Sequence, residues 1–149
     1  MPTDSNTFSC TLLSRAQDVA ALADSVQEWA KSCGLPDRSC HYLGLLLDEL
    51  IANIVLHAYQ DRDDGRIEIM IRLDGTMICV TLRDTGPPFD PTQQTPADTT
   101  QTVEERDFGG LGIHFVRGIA SHFTYRRDGD VNEVVFCLSS ARPSGESPA

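Results

Sequence analysis

The chain has 149 residues, 40% of them hydrophobic, which suits one globular domain with a substantial core. Acidic residues number 22 against 12 basic, a net charge of −10, and Arg126-Arg127 is the only basic doublet. That field disfavours general binding to nucleic acid or anionic membrane, but a nucleotide can still be held by backbone amides, a divalent cation and a few local charges. The N-terminus lacks the basic and apolar regions of a secretory signal, and no stretch reaches the ~20 apolar residues expected of a membrane helix. Cys10, Cys33, Cys40, Cys79 and Cys137 are odd in number and scattered, a pattern that favours single thiols in a reducing cytoplasm over a zinc site or disulfide framework.

In chain order, Phe8 to Leu13 reads as a strand. Asp18 to Ser32 has apolar residues at helical spacing and stops at Gly34-Leu35-Pro36. A second helix opens at Asp37 and runs to about Ala58. Arg66 to Leu73 alternates, Asp74-Gly75 is a hairpin turn, and Ile78, Val80 and Leu82 continue the alternation. Asp84 to Arg106, with four of the eight prolines, carries no regular pattern. Gly109-Gly110-Leu111-Gly112 leads into an amphipathic helix ending near Ser121, and a last hairpin turns at Asp128-Gly129-Asp130. Neither a repeat nor a second domain is evident. Residues 8–138 read as one domain, with 1–7 and 139–149 as disordered tails. The order of elements predicts an α+β fold: a two-layer α/β sandwich with a mixed, mostly antiparallel sheet and helices on one face.

Three segments carry chemistry. Glu49 and Asn53 lie four residues apart in an otherwise apolar helix, so their side chains project from one side, bordered by Leu46, Leu50 and His57 on one flank and Leu45, Ala52 and Leu56 on the other. Buried there, a carboxylate and an amide require partners; facing water, they require none. Asp84-Thr85-Gly86 follows a strand, where a carboxylate can accept from an exocyclic amine and the glycine lets a flat ligand approach; Asp-x-Gly is also a common turn. Gly109 to Gly112 precedes a helix, where backbone N–H groups can converge on an anion, although glycine pairs also serve as plain helix entries. The glycines fit neither a dinucleotide fingerprint nor a P-loop. His57 lies a further turn along the Glu49/Asn53 face, and a hydrogen bond at the helix C-terminus is its simplest role.

Taken together, Glu-x-x-x-Asn-x-x-x-His-Ala-Tyr, then Asp-x-Gly-x-x-Phe-Asp-Pro after a hairpin, then Gly-Gly-Leu-Gly before a helix resemble the gyrase/histidine-kinase/mismatch-repair ATPase superfamily, with its Bergerat-type ATP-binding fold. The short form and the His-Ala-Tyr ending look like the bacterial anti-sigma-factor serine/threonine kinases of the partner-switching type. The resemblance covers roughly Phe8 to Leu138.

That resemblance implies ATP and Mg²⁺ as cofactors, with Asn53 as the Mg²⁺ ligand, Asp84 reading the adenine amine, Gly86 giving the ring room, and Gly110 and Gly112 cradling phosphate. It implies an ATP lid over Pro91–Phe108, and Glu49 as the base that takes the proton of a partner's hydroxyl, in keeping with a carboxylate one turn from the metal ligand. The chain departs from the pattern twice. Arg106 is separated from the glycines by Asp107-Phe108, and the last hairpin reads Asn132-Glu133-Val134-Val135 where relatives often offer a hydroxyl, so no nucleotide contact is assigned to either. The partners implied are a STAS-like anti-sigma-factor antagonist as substrate and a sigma factor, with no direct contact to nucleic acid or membrane. A homodimer is implied too; the apolar first helix offers a face, and a core role explains it equally well. The alternative is a nucleotide-gated binding module without catalysis, whose lid orders with ATP.

Overall fold

The computed structural model describes residues 6–60, 62–93 and 116–140. Strand β1 (Thr7–Leu13) is followed by helices α1 (Ala16–Ser32) and α2 (Asp37–Asn53), and α2 continues as a π-helical turn over Ile54–Ala58. The hairpin β2 (Arg66–Asp74) and β3 (Met77–Asp84) comes next, then a short 3₁₀ turn (Pro91–Gln93) and the hairpin β4 (His122–Asp128) and β5 (Val131–Ser139). The sheet order is β1-β2-β3-β5-β4, and every pairing among the described residues is antiparallel. The sheet is in this respect simpler than the expected mixed one: β2-β3 and β4-β5 are hairpins, and β1 also pairs antiparallel with β2, and β3 with β5. Residues 116–119 are helical, the described end of the helix expected after the glycines.

Period-2 alternation sends one row of each strand toward the helices. Ile67, Ile69 and Ile71 of β2 face inward beside Ile78, Val80 and Leu82 of β3 and Val134, Phe136 and Leu138 of β5, and all are buried. Against them pack Leu22, Val26 and Ala30 of α1 and Leu43, Leu46, Leu47, Leu50 and Ile51 of α2. Both helices therefore lie on one face. The opposite face is polar and laced with cross-strand ion pairs: Arg83 and Arg126 flank Glu133 at 2.7 and 3.4 Å.

Helix α2 with its π turn, Asp37–Ala58, is long and apolar enough to cross a membrane by length and composition, contrary to the expectation from sequence. Its apolar side is nonetheless core, and half of it is buried within the domain. Pairing of Cys79 with Cys137 is a second correction. These residues stand directly opposed on β3 and β5, with Cα atoms 4.2 Å apart, and form a disulfide. Their 58-residue separation hid a pairing that only strand register creates.

Phe136 is fully buried on β5, in register with Val80 and Phe123. Phe136→Ala is expected to lower unfolding stability by about 3–5 kcal/mol, the cost of a lost aromatic ring plus its cavity, measured as a shift of the urea midpoint at unchanged slope.

Candidate functional site

At one end of the sheet, the inward rows change character. Ile78-Val80-Leu82 ends in Asp84, and Asn132 precedes Val134-Phe136-Leu138. Asp84 and Asn132 are register partners, and Arg127 of β4 pairs with Asn132 on its other side. A polar row thus closes an apolar sheet face. Asp84 is 4% exposed and Asn132 1%.

Asp84 Oδ1 accepts from Gly86 N–H (2.9 Å) and from Asn132 Nδ2 (2.9 Å). Among the described residues, the hydrogen bonds Asp84 accepts all fall on Oδ1. Burial raises the Asp84 carboxyl above the usual range, outweighing the lowering by the Asn132 and Gly86 donors and the Arg127 charge.

The helix that ends in Asn53 adjoins the loop after Asp84 through its continuation, Ala58 against Gly86 and Tyr59 against Thr85. Asn53 is 1% exposed, and neither its Oδ1 nor its Nδ2 has a hydrogen-bond partner among the described residues. Glu49 Oε2, one turn earlier, is likewise buried and unpartnered. Such groups are costly to bury. The reading in which they simply meet water is therefore excluded for Asn53. Burial raises the Glu49 carboxyl, and the adjacent Asp48 charge raises it further; burial raises Asp48 too.

The segment after Asn53 knits α2 to the loop after Asp84. Tyr59 N–H reaches Ile54 O at 2.9 Å, an i→i+5 bond that widens the turn. Within this turn the His57 ring stacks on Phe89, with centroids 4.5 Å apart. Ala58 lies against Gly86, where an added Cβ would come within 2.8 Å of the Ala58 carbonyl oxygen. The glycine thus serves the helix contact as well as any ligand. Thr85 N–H donates to Tyr59 Oη (3.0 Å), which donates to Arg66 O, and the Tyr59 ring fills the space a Cβ on Gly65 would occupy. Arg117 donates to the carbonyl of Thr92, bracing the 3₁₀ turn against the helical residues 116–119.

Of the sequence-derived residues, Asp84 and Gly86 are joined by a hydrogen bond at one end of the sheet, and Gly86 meets Ala58 in the π turn that continues the helix carrying Glu49 and Asn53. Gly110, Gly112, Arg106 and most of the expected lid (94–108) lie outside the described residues. Sequence reasoning missed Asn132, Arg127 and Tyr125. The signal was present for Asn132: it is the polar break in an inward-facing alternation, as Asp84 is.

Two helices layered on one face of a five-stranded antiparallel sheet match the Bergerat-type ATP-binding fold expected from the sequence. The profile of the histidine kinase-like ATPase domain matches residues 12–138, and the chain belongs to that family. It is 26% identical over 129 residues to the serine/threonine-protein kinase BtrW of Bordetella bronchiseptica, covering 84% of this chain and 91% of BtrW. Its fold matches the crystal structure of the RsbU and RsbW domains of Rv1364c from Mycobacterium tuberculosis, with a TM-score of 0.64 over 93% of this chain at 15% identity. This chain spans 32% of that one.

The Glu49 shift predicts a pH signature. With its folded pKa above the unfolded value, the stabilising contribution is fully present below about pH 4 and is lost as pH rises through the folded pKa. Glu49→Gln should therefore melt higher than the parent at pH 7, with the gap closing toward pH 4. Equal melting temperatures across that range would contradict the assignment of a desolvated carboxyl.

Proposed function

We propose that this protein is a Mg²⁺- and ATP-dependent serine/threonine protein kinase that acts as an anti-sigma factor and phosphorylates a STAS-like antagonist. The observation that carries the reading is the buried amide of Asn53 one helical turn from Glu49 Oε2, both without a hydrogen-bond partner among the described residues. An amide with a free acceptor and a free donor suits a cation next to an anion: Oδ1 can ligate a hard metal and Nδ2 can donate to a phosphate oxygen. Membership in an ATPase-domain family implies ATP use, and likeness to a protein named as a serine/threonine kinase favours a protein hydroxyl as acceptor.

In this reading, Asn53 holds Mg²⁺, Asp84 accepts from the adenine amine, and Gly86 keeps the base side open while seating Ala58. Gly110 and Gly112 supply backbone donors to phosphate. Mg²⁺-ATP supplies the phosphoryl group and the charge neutralisation it needs when bound. Glu49 takes the proton of the attacking hydroxyl on Oε2; the pressure of burial and of Asp48 on its charge makes it a stronger base than an exposed carboxylate. The RsbW domain of the structural match supports the partner-switching role, and such a role would place the protein in the cytoplasm with ATP and a sigma factor.

The test is transfer of label from γ-labelled ATP to candidate antagonists encoded nearby, with Mg²⁺. Glu49→Ala should keep ATP affinity within a few-fold but slow transfer by about 10²–10⁴-fold, and Asn53→Ala should weaken binding itself at least about tenfold. Undiminished transfer by the Glu49 variant would remove the base from the mechanism. Absence of label on any antagonist, with ATP bound, would remove the kinase.

A further inference from the structure

Asn132 is the most heavily engaged side chain in the described structure. Its Nδ2 donates to Asp84 Oδ1 (2.9 Å), Gly86 O (3.2 Å) and Pro87 O (2.9 Å). Its Oδ1 accepts from Tyr125 Oη (2.5 Å), Arg127 Nη1 (3.1 Å) and, at 3.5 Å, Phe89 N–H. A primary amide has two donor hydrogens and one acceptor oxygen, so six contacts exhaust it. Nothing is left over with which to touch a ligand. Arg127 Nη1 also reaches Gly86 O (2.7 Å), closing the ring of bonds from β4 back to the loop.

The consequence falls on Asp84. A carboxylate on a strand end can rotate about χ2, and a rotated carboxylate presents either oxygen. Here Oδ1 is held between two N–H donors, so rotation would break both. The same amide that fixes Oδ1 also holds the loop carbonyls of Gly86 and Pro87.

We infer that Asn132 is a positioning residue that sets base selectivity: by clamping Asp84 Oδ1, it leaves Oδ2 as a fixed acceptor that favours a 6-amino purine over a 6-oxo purine. This rests on the reading of Asp84 as the base-recognising group. A 6-amino purine offers an N–H donor to that oxygen, whereas a 6-oxo purine sets a carbonyl oxygen against it, and an acceptor facing an acceptor is penalised. With the clamp removed, the carboxylate can turn toward other edges of the ring, and the penalty shrinks.

The experiment compares dissociation constants of Mg²⁺-ATP, Mg²⁺-ITP and Mg²⁺-tripolyphosphate for the full chain and for Asn132→Ala, Asn132→Asp and Tyr125→Phe. ITP differs from ATP at the 6-position, and tripolyphosphate has no base. The parent should prefer ATP over ITP by at least about tenfold. Asn132→Ala should lower that ratio several-fold while leaving tripolyphosphate affinity within about twofold. Asn132→Asp keeps the size but puts an oxygen where the Nδ2 donor stood, so it should lower the ratio at least as far. Tyr125→Phe, which removes one donor to Asn132 Oδ1, should lower it less, and it decides the matter if the Asn132 variants do not fold. A folded variant set with an unchanged ATP:ITP ratio, or with ATP and tripolyphosphate affinity falling in parallel, would overturn the inference and leave Asn132 as structural only. A parent that binds ATP without preference over ITP, or does not bind it, would overturn the base-reading role of Asp84 first and the inference with it.

Discussion

The organisation of this domain turns on one constraint: polar groups that leave water must be answered. The inward rows of β3 and β5 are apolar until the end of the sheet, where Asp84 and Asn132 replace the aliphatic side chains. There the protein answers its own buried carboxylate with an amide, a backbone N–H and a nearby guanidinium. On α2, the buried Asn53 amide and Glu49 Oε2 are not answered by any described residue. Among the described residues one polar cluster is satisfied internally and the other is not, and on the proposed reading this asymmetry separates the scaffold of the site from its reactive edge.

The intervening segment makes that division rigid. The π turn after Asn53 ends in Ala58-Tyr59, whose backbone and hydroxyl grip Gly86 and Thr85. A helix that displays the unpartnered groups is thereby bolted to the loop that carries the partnered one. On the proposed reading, the metal-binding and base-reading ends of one nucleotide are held by a single connected unit, which reduces the ordering that binding requires. The motif ending His57-Ala58-Tyr59 then has a mechanical meaning: stacking on Phe89, close approach to Gly86, and a hydroxyl tie between β2 and the end of β3.

Much of this was legible in the sequence because it rests on periodicity. The two helices and four hairpin strands follow from spacing that burial enforces, and Glu49 and Asn53 stood out as breaks in a helical pattern. What was not legible depends on register between distant strands. Cys79 meets Cys137, and Asp84 meets Asn132, only because β3 and β5 pair as they do. The part played by Asn132 emerges only from its six hydrogen bonds to the loop and to β4. The π turn was hidden for a different reason: helical spacing and composition hardly distinguish i→i+4 from i→i+5 bonding over a single turn.

The central claim is that the unsatisfied Asn53 amide is completed by a metal-bound nucleotide. Its most direct test is a titration of ¹⁵N-labelled protein in which the Asn53 side-chain amide resonances are followed. Saturating Mg²⁺-ATP should move both proton signals of that amide, with little effect from Mg²⁺ alone. An Asn53 amide unmoved at saturation, while other residues report binding, would contradict the account.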